Sequence, residues 1–261
     1  MRFKIHLHIK NKTALLPVDY QYLMSSAVYK LIKRGDEAYS QFLHDEGFSA
    51  GGLKRFKLFT FSPLQLPRYT LVKERGLFEL HGKEASFIVS FMVDAAAEAF
   101  VKGMFVNEAL SFGDKYNQLD TEIVRIESMP QPYFQETMEY KFLSPVTIGK
   151  RVAGEKYEKY LYPNDPEFGD FLINNLISKS LAYQTSGKEV FDTPFDGMKF
   201  ELLGDYKEKL ISIKPYTREQ TKVKGSVFKF RLTAPVVLQE MGYYAGFGES
   251  NAMGFGCVEV G

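Results

Sequence analysis

The chain has one cysteine, Cys257, in 261 residues. A lone thiol excludes an internal disulfide framework and suits a reducing cytoplasm. There is no run of about 18 apolar residues and no charged-then-apolar leader, so the expectation is a cytoplasmic chain with no membrane partner. A dominant charge is missing as well: 33 Lys and Arg stand against 32 Asp and Glu, a net +1, which taken whole argues against a nucleic-acid binder. Histidine is scarce, with four residues. His6 and His8 share one face of the first alternating stretch, but no clustered Asp, Glu or Cys completes a ligand set, so no metal and no cofactor is expected. His81 reads as a solvated turn residue.

What the chain does hold is apolar and aromatic mass: 45% hydrophobic residues, with 23 Phe and 16 Tyr. That is ample for a core in one large domain or two of ordinary size. The charge, although balanced, is segregated. Residues 50–75 carry Lys54, Arg55, Lys57, Arg68, Lys73 and Arg75 against Glu74, and residues 199–231 carry nine basic residues against four acidic ones. Residues 232–261 have three glutamates and neither Lys nor Arg. A basic face is therefore compatible with the neutral total.

Taken in order, residues 2–9 alternate polar and apolar as a half-buried strand does. From Tyr22 the period becomes helical, with Leu23, Met24, Ala27, Val28, Leu31 and Ile32 on one face, Asp19 as N-cap and Gly35 at the end. A short second helix carries Tyr39, Phe42 and Leu43 into His44-Asp45-Glu46-Gly47. After a Gly51-Gly52 turn, strands are expected at 57–61, 77–80 and 86–92. Asp94 caps an alanine-rich helix to about Asn107, and a strand returns at 122–126. This is a ferredoxin-like βαββαβ order. Met129-Pro130-Gln131-Pro132 breaks it, and the order starts again: a strand at 134–143, a helix opening at Asp165-Pro166 with Phe168, Phe171, Leu172, Leu176, Ile177 and Leu181, and strands at 198–203, 208–216 and 226–233.

The final stretch, Gly242 to Val260, holds two Gly-Phe-Gly triplets, Gly246-Phe247-Gly248 and Gly254-Phe255-Gly256, around Glu249 to Met253. Glycine reaches positive φ freely and lets another backbone come close, so a tightly folded loop is expected. A dinucleotide fingerprint is excluded, because that motif opens a helix and this one runs into the alternating Cys257-Val258-Glu259-Val260. Cys257 there reads as core rather than reactive. In the first half, Tyr29, His44 and Lys57 each have an ordinary reading: an amphipathic helix-edge tyrosine, a helix-end histidine favoured by the dipole, a solvated strand lysine. Asp45-Glu46 could orient His44. Phe59 and Phe61 could stack bases, although with so many aromatics each is more readily core.

Together these segments resemble the RAMP superfamily of CRISPR RNA-binding proteins, and within it the endoribonucleases that cut CRISPR repeat RNA. The resemblance rests on Val28-Tyr29-Lys30-Leu31-Ile32, on Phe42-Leu43-His44-Asp45-Glu46-Gly47-Phe48, on Lys57-Leu58-Phe59-Thr60, and on a C-terminal loop of Gly-apolar-Gly, a polar spacer with Glu and Asn, and Gly-apolar-Gly. It covers essentially the whole chain. It implies an α+β fold of two tandem ferredoxin-like (βαββαβ, RRM-like) domains, here 1–128 and 134–261 around a linker at 129–133. It implies Tyr29, His44 and Lys57 as catalytic residues, with Lys54 the alternative lysine. It also implies RNA contacts from Gly246, Phe247, Gly248, Glu249, Asn251, Gly254, Phe255 and Gly256, helped by basic residues such as Lys54 and Arg231.

The implied chemistry is metal-independent transesterification. A ribose 2′-hydroxyl attacks its own 3′-phosphodiester, leaving a 2′,3′-cyclic phosphate and a 5′-hydroxyl. Histidine, with an unperturbed pKa of about 6.5, can serve either proton transfer, and the residue pattern leaves open whether His44 is acid or base. Lys57 would offset phosphorane charge, and Tyr29 would orient the 2′-hydroxyl or share the proton transfer. The partners implied are CRISPR repeat RNA, as precursor and mature guide, and a CRISPR effector complex, with the chain a monomer or homodimer. The rival from another class is a RAMP-type subunit that binds guide RNA without cutting it. A metal-dependent nuclease is a further alternative.

Overall fold

Alternation in β1 (Arg2–Ile9) turns Phe3, Ile5, Leu7 and Ile9 into the core, and this strand is the centre of the first half. The structure, a computed structural model, describes residues 1–51, 54–114, 116–155, 157–185, 197–215 and 217–261. The chain continues through β2 (Ala14–Pro17), α1 (Gln21–Gly35), α2 (Glu37–Asp45), β3 (Phe59–Phe61), β4 (Tyr69–Val72), β5 (Leu77–Leu80), β6 (Glu84–Phe91), α3 (Asp94–Val106), β7 (Ala109–Gly113) and β8 (Gln118–Ser128). An antiparallel sheet of order β3-β6-β1-β8-β7 results, the ferredoxin-like order with β7 added at one edge as a hairpin to β8. A second sheet, β2-β5-β4, is inserted beside it. The helical face of α1 buries Met24, Ala27, Val28, Leu31 and Ile32, as the 3.6-residue period requires.

The second half repeats the plan with β9 (Thr137–Phe142), β10 (Gly149–Lys150), β11 (Lys159–Tyr160), α4 (Phe168–Thr185), β12 (Lys199–Ile213), β13 (Thr221–Thr233), α5 (Val236–Ala245) and β14 (Val258–Val260). Its sheet has the order β12-β13-β9-β14, so the chain is two tandem ferredoxin-like domains. Apolar packing is continuous through both halves. They are also joined by buried polar contacts. The Arg2 guanidinium, from β1, donates to the Val258 carbonyl and lies 4.2 Å from the Tyr243 ring centroid. Thr60 Oγ1 donates to Phe255 O at 2.9 Å, and Ser25 Oγ to Ala252 O at 2.6 Å.

Several expectations are corrected. Asp19 and Asp94 are not caps. Tyr20 and Val93 hold those positions with no side-chain bond, and Asp94 is instead an acidic first-turn residue that suits the helix dipole. The strand expected from Lys57 begins at Phe59, because Leu58 adopts a left-handed φ of 54° and breaks the extension. The strands expected at 198–203 and 208–216 are one long β12 that ends at Ile213, with an irregular register between Leu203 and Lys207, and residue 216 lies outside the described residues. Leu181 is 42% exposed rather than core. Phe59 and Phe61 are buried and so cannot stack on a base, since their rings fill the space beneath α1 and the C-terminal loop. Elements not expected are β2, β4, β7, β10, β11 and α5. Gly52 of the expected Gly51-Gly52 turn lies outside the described residues. Among the described residues no helix is long and apolar enough to cross a membrane.

Candidate functional site

The first half delivers its chemistry from the end of α2. Asp36 caps that helix by accepting from Tyr39 N at 2.9 Å, and His44 stands in the last turn, where a cation is favoured. The His44 side chain is 77% exposed, and its Nδ1 lies 2.7 Å from Asp45 Oδ1. His44 is the first cause that holds the Asp45 carboxyl below the usual range, with Gln41 adding to it. An ionised carboxylate accepts only, so Nδ1 carries the hydrogen and Nε2 is left free. The adjacent acid therefore orients the imidazole, as expected.

Lys57 reaches back to this helix end. Its Nζ donates to His44 O at 3.0 Å, and half-burial draws its pKa below the ordinary lysine value, against the pull of Asp45. Gly47 makes the room: a Cβ there would lie 2.7 Å from Phe56 O and 3.2 Å from Lys57 Nζ. Tyr29 on α1 completes the group, its ring centroid 6.4 Å from that of His44 and 5.5 Å from that of Phe59, edge-on to both. Burial pushes its hydroxyl up to about 12. At neutral pH Tyr29 is thus a hydrogen-bond donor and not a base. The structure brings Tyr29, His44 and Lys57 together.

The second half contributes the glycine loop, and the glycines answer to the protein's own packing. All four take positive φ, and a Cβ on Gly256 would lie 1.9 Å from Phe247 O, one on Gly254 2.5 Å from the Phe61 ring. Phe247 and Phe255 are fully buried, ring and backbone alike, so neither of these expected RNA contacts reaches the surface. Phe247 packs against Tyr140 and Phe230 at centroid distances of 5.2 and 5.1 Å. Asn251 is an internal clamp: Nδ2 donates to Phe247 O at 2.8 Å and Phe255 O at 3.0 Å. Lys179, fully buried on α4, donates to Gly246 O at 2.6 Å and Gly248 O at 2.7 Å. Desolvation lowers its pKa to about 7.

Between the halves lies a cleft of about 440 Å³ lined by Tyr29 and Lys57 on one side and by Gly248 through Met253 on the other. Its lining carries Lys54, Arg55, Lys57, Arg151 and Lys179 against Glu158 and Glu249, so it is basic although the chain is nearly neutral. Lys54 Nζ bridges the cleft to Glu249 Oε1 at 3.1 Å, and Glu249 also accepts from Gly149 N at 3.2 Å. Such an exposed pair contributes about 0–1 kcal/mol. Arg231 lies elsewhere: it is not among the lining residues and is held on β13, in the sheet of the second half, by Glu139 at 3.1 Å and Glu201 at 3.2 Å. His6 lies beside Glu127 on the first sheet, His81 bonds Thr70 Oγ1 at 2.8 Å, and the Cys257 thiol is buried, which raises its pKa. Among the described residues no group of three or more His, Cys, Asp or Glu is placed to hold a metal.

Sequence reading passed over Arg151, Lys179 and Asn175. The last two did leave a signal, since both fall on the apolar stripe of α4 with Leu172 and Leu176, where polar residues are out of place. Asn175 is 5% exposed and neither end of its carboxamide has a hydrogen-bond partner. An unpaired buried amide costs about 1–3 kcal/mol.

Two family models match the chain: the C-terminal part of CRISPR-associated protein Cas6 over residues 129–260, and the N-terminal part of CRISPR-associated protein Cas6 over residues 15–119. The chain is 30% identical to CRISPR-associated endoribonuclease Cas6 1 of Methanocaldococcus jannaschii, over 99% of this chain and 92% of that protein. It is 28% identical to CRISPR-associated endoribonuclease Cas6 of Pyrococcus furiosus, over 100% and 90%. In fold it is similar to the solved structure for a Cas6-related gene from Pyrococcus furiosus, with a TM-score of 0.81 at 20% identity, covering 100% of this chain and 98% of that one.

Proposed function

The chain belongs to the Cas6 family of CRISPR-associated proteins, and on that footing we propose that it is an endoribonuclease that cuts CRISPR precursor RNA within its repeats, without a metal, to mature guide RNA. The observation that carries the reading is that Tyr29 and Lys57 face the C-terminal loop across one basic cleft, with His44 beside them outside its lining, its ring edge-on to Tyr29 and its carbonyl accepting from Lys57. The substrate's own 2′-oxygen forms the new bond to phosphorus as the 5′-oxygen bond breaks, giving a 2′,3′-cyclic phosphate and a 5′-hydroxyl. His44 transfers protons through Nε2, the nitrogen that Asp45 leaves free. Lys57, partly desolvated, offsets charge on the phosphorane, and Tyr29 donates its O–H to a developing oxyanion. The loop residues Glu249 and Asn251, with the backbone of Gly248 to Met253, shape the facing wall along which the strand runs, and the buried Gly246, Phe247, Gly254, Phe255 and Gly256 hold that wall from behind. Lys54 and Arg151 supply phosphate contacts that position the strand without reading sequence.

The test is incubation with precursor repeat RNA in EDTA. Cleavage within the repeat, with cyclic-phosphate ends, is expected. A 2′-deoxy substitution at the scissile nucleotide should abolish it. Binding of repeat RNA with no cleavage would replace the enzyme by a guide-RNA-binding subunit. Cleavage that is lost in EDTA and restored by a divalent cation would point to a metal-dependent nuclease.

A further inference from the structure

Asn175 has no part in the reaction just described, yet it is a buried polar group of the cleft with nothing to bind. It stands on α4 one turn before Lys179 and lines the cleft together with Tyr29, Lys57 and Ser250. Lys179 is committed to Gly246 O and Gly248 O, whereas Oδ1 and Nδ2 of Asn175 are both unpaired. Buried side-chain amides are nearly always paired, and asparagine inside a helix is a poor helix former, so neither packing nor α4 itself selects this residue.

A carboxamide sets one acceptor beside two donors. A phosphate offers acceptors only and would leave Oδ1 unpaired, and Lys54, Arg55, Lys57 and Arg151 already serve that charge. A single 2′-hydroxyl is one group for two ends. The edge of a nucleobase, where a ring nitrogen or carbonyl adjoins an amino or imino hydrogen, matches both. We propose that Asn175 anchors one unstacked nucleobase beside the scissile phosphate and so fixes the register in which the single strand crosses the cleft. This rests on the reading of the cleft as the RNA-cleaving site. The amide is covered in the RNA-free chain, so the base reaches it as cleft side chains shift. The ion pairs of the lining, Lys54–Glu249 and Arg151–Glu158, contribute little and so cost little to open.

A double-mutant cycle between residue and base tests this. Wild type, Asn175→Ala and Asn175→Asp are titrated with repeat RNA made uncleavable by a 2′-deoxy scissile nucleotide and carrying an abasic site at each neighbouring position in turn. At one position the abasic site should weaken wild-type binding about tenfold. The same change should add nothing to Asn175→Ala, and with cleavable RNA that variant should raise KM more than it lowers kcat. If Asn175→Ala melts early, Asn175→Asp keeps the volume and carries the same cycle. Equal abasic penalties in wild type and variant, or uniform weakening at every position, overturn the proposal. Coupling to a 2′-deoxy position in place of an abasic one overturns the base assignment. Wild-type protein that cuts repeat RNA while showing no coupling overturns this proposal alone. Wild-type protein that binds no repeat RNA overturns the reading of the cleft and the anchor with it.

Discussion

Lys57 and Lys179 reach the same cleft from opposite halves of the chain, and burial draws both below the ordinary lysine range. Lys57 is half-buried, holds one carbonyl and keeps donors free toward the cleft. Lys179 is fully buried and is committed to two carbonyls of the glycine loop. Two ammonium groups at one cleft therefore have different duties: the first can meet a substrate charge, and the second holds the wall that the substrate passes. The same division runs through the halves. The first sets His44 at the end of α2 and Lys57 just before β3, beside Tyr29 within α1, and the second supplies backbone shaped by buried polar clamps.

The largest effect expected from breaking this comparison is on the reactive side. His44→Ala should lower single-turnover cleavage by about 10²–10⁴-fold, and Lys57→Ala by about 10²-fold or more. Melting temperature and RNA affinity should stay near wild type for His44→Ala, because that side chain is exposed. A 5′-phosphorothiolate substrate, whose leaving group needs no proton, sharpens the role of His44. Rescue of His44→Ala by that substrate makes it the acid, and no rescue makes it the base. Loss of folding in His44→Ala would contradict the picture of a solvent-facing reactive group.

On the clamp side, Lys179→Met leaves two buried carbonyls unpaired and should cost about 2 kcal/mol, with loss of cleavage through the loop and not through the proton transfers. Its pH dependence is specific. Below about pH 7 the folded and unfolded chains both hold the Lys179 proton. Between about 7 and the ordinary lysine value, the folded chain has released it and the unfolded chain has not, so each rise in pH favours folding. Urea midpoints from pH 7 to 9 should climb in wild type relative to Lys179→Met. Parallel curves for the two proteins would show that Lys179 is not desolvated as its surroundings require. The neutral amine still carries two hydrogens for its two carbonyls, so cleavage should not collapse across that range on account of the loop.

How far the sequence reached follows the same division. The strand period of residues 2–9 and the stripe of α1 were legible because their periodicity is expressed over a few neighbouring residues, whereas Tyr29, His44 and Lys57 stood out only through the family resemblance, each having an ordinary reading by itself. The clamps were not legible, since Lys179 finds Gly246 and Arg2 finds Val258 only after the sheets have formed. The glycine loop was legible as a motif but its cause was not. Gly246, Gly248 and Gly254 are demanded in part by Thr60, Val146 and Phe61, which are distant in sequence. The helix α5 escaped notice because its small and aromatic residues run straight into the glycine triplets, where turn chemistry dominates the reading.

A smaller effect falls on the seam between the halves. Thr60→Val keeps the volume and removes the hydroxyl that donates to Phe255 O, leaving that buried carbonyl with the Asn251 Nδ2 bond alone. The expected cost is about 1 kcal/mol, read as a lower melting temperature, with cleavage slowed only modestly because the clamps at Asn251 and Lys179 remain. A loss of cleavage as large as that of Lys179→Met would mean that β3, and not α4, sets the loop.

The smallest effect separates the two lysines that the residue pattern left as alternatives. Lys54 is exposed and its ion pair with Glu249 contributes little, while Lys57 is desolvated beside Tyr29 and His44. Lys54→Ala should therefore leave folding unchanged and cost a few-fold in RNA affinity. That loss should shrink as salt rises, because it removes one phosphate contact of the counterion-releasing kind. Cleavage at saturating RNA should be nearly untouched. A hundredfold fall in saturated cleavage for Lys54→Ala, with Lys57→Ala mild, would exchange their roles and move the reacting phosphate across the cleft toward Glu249.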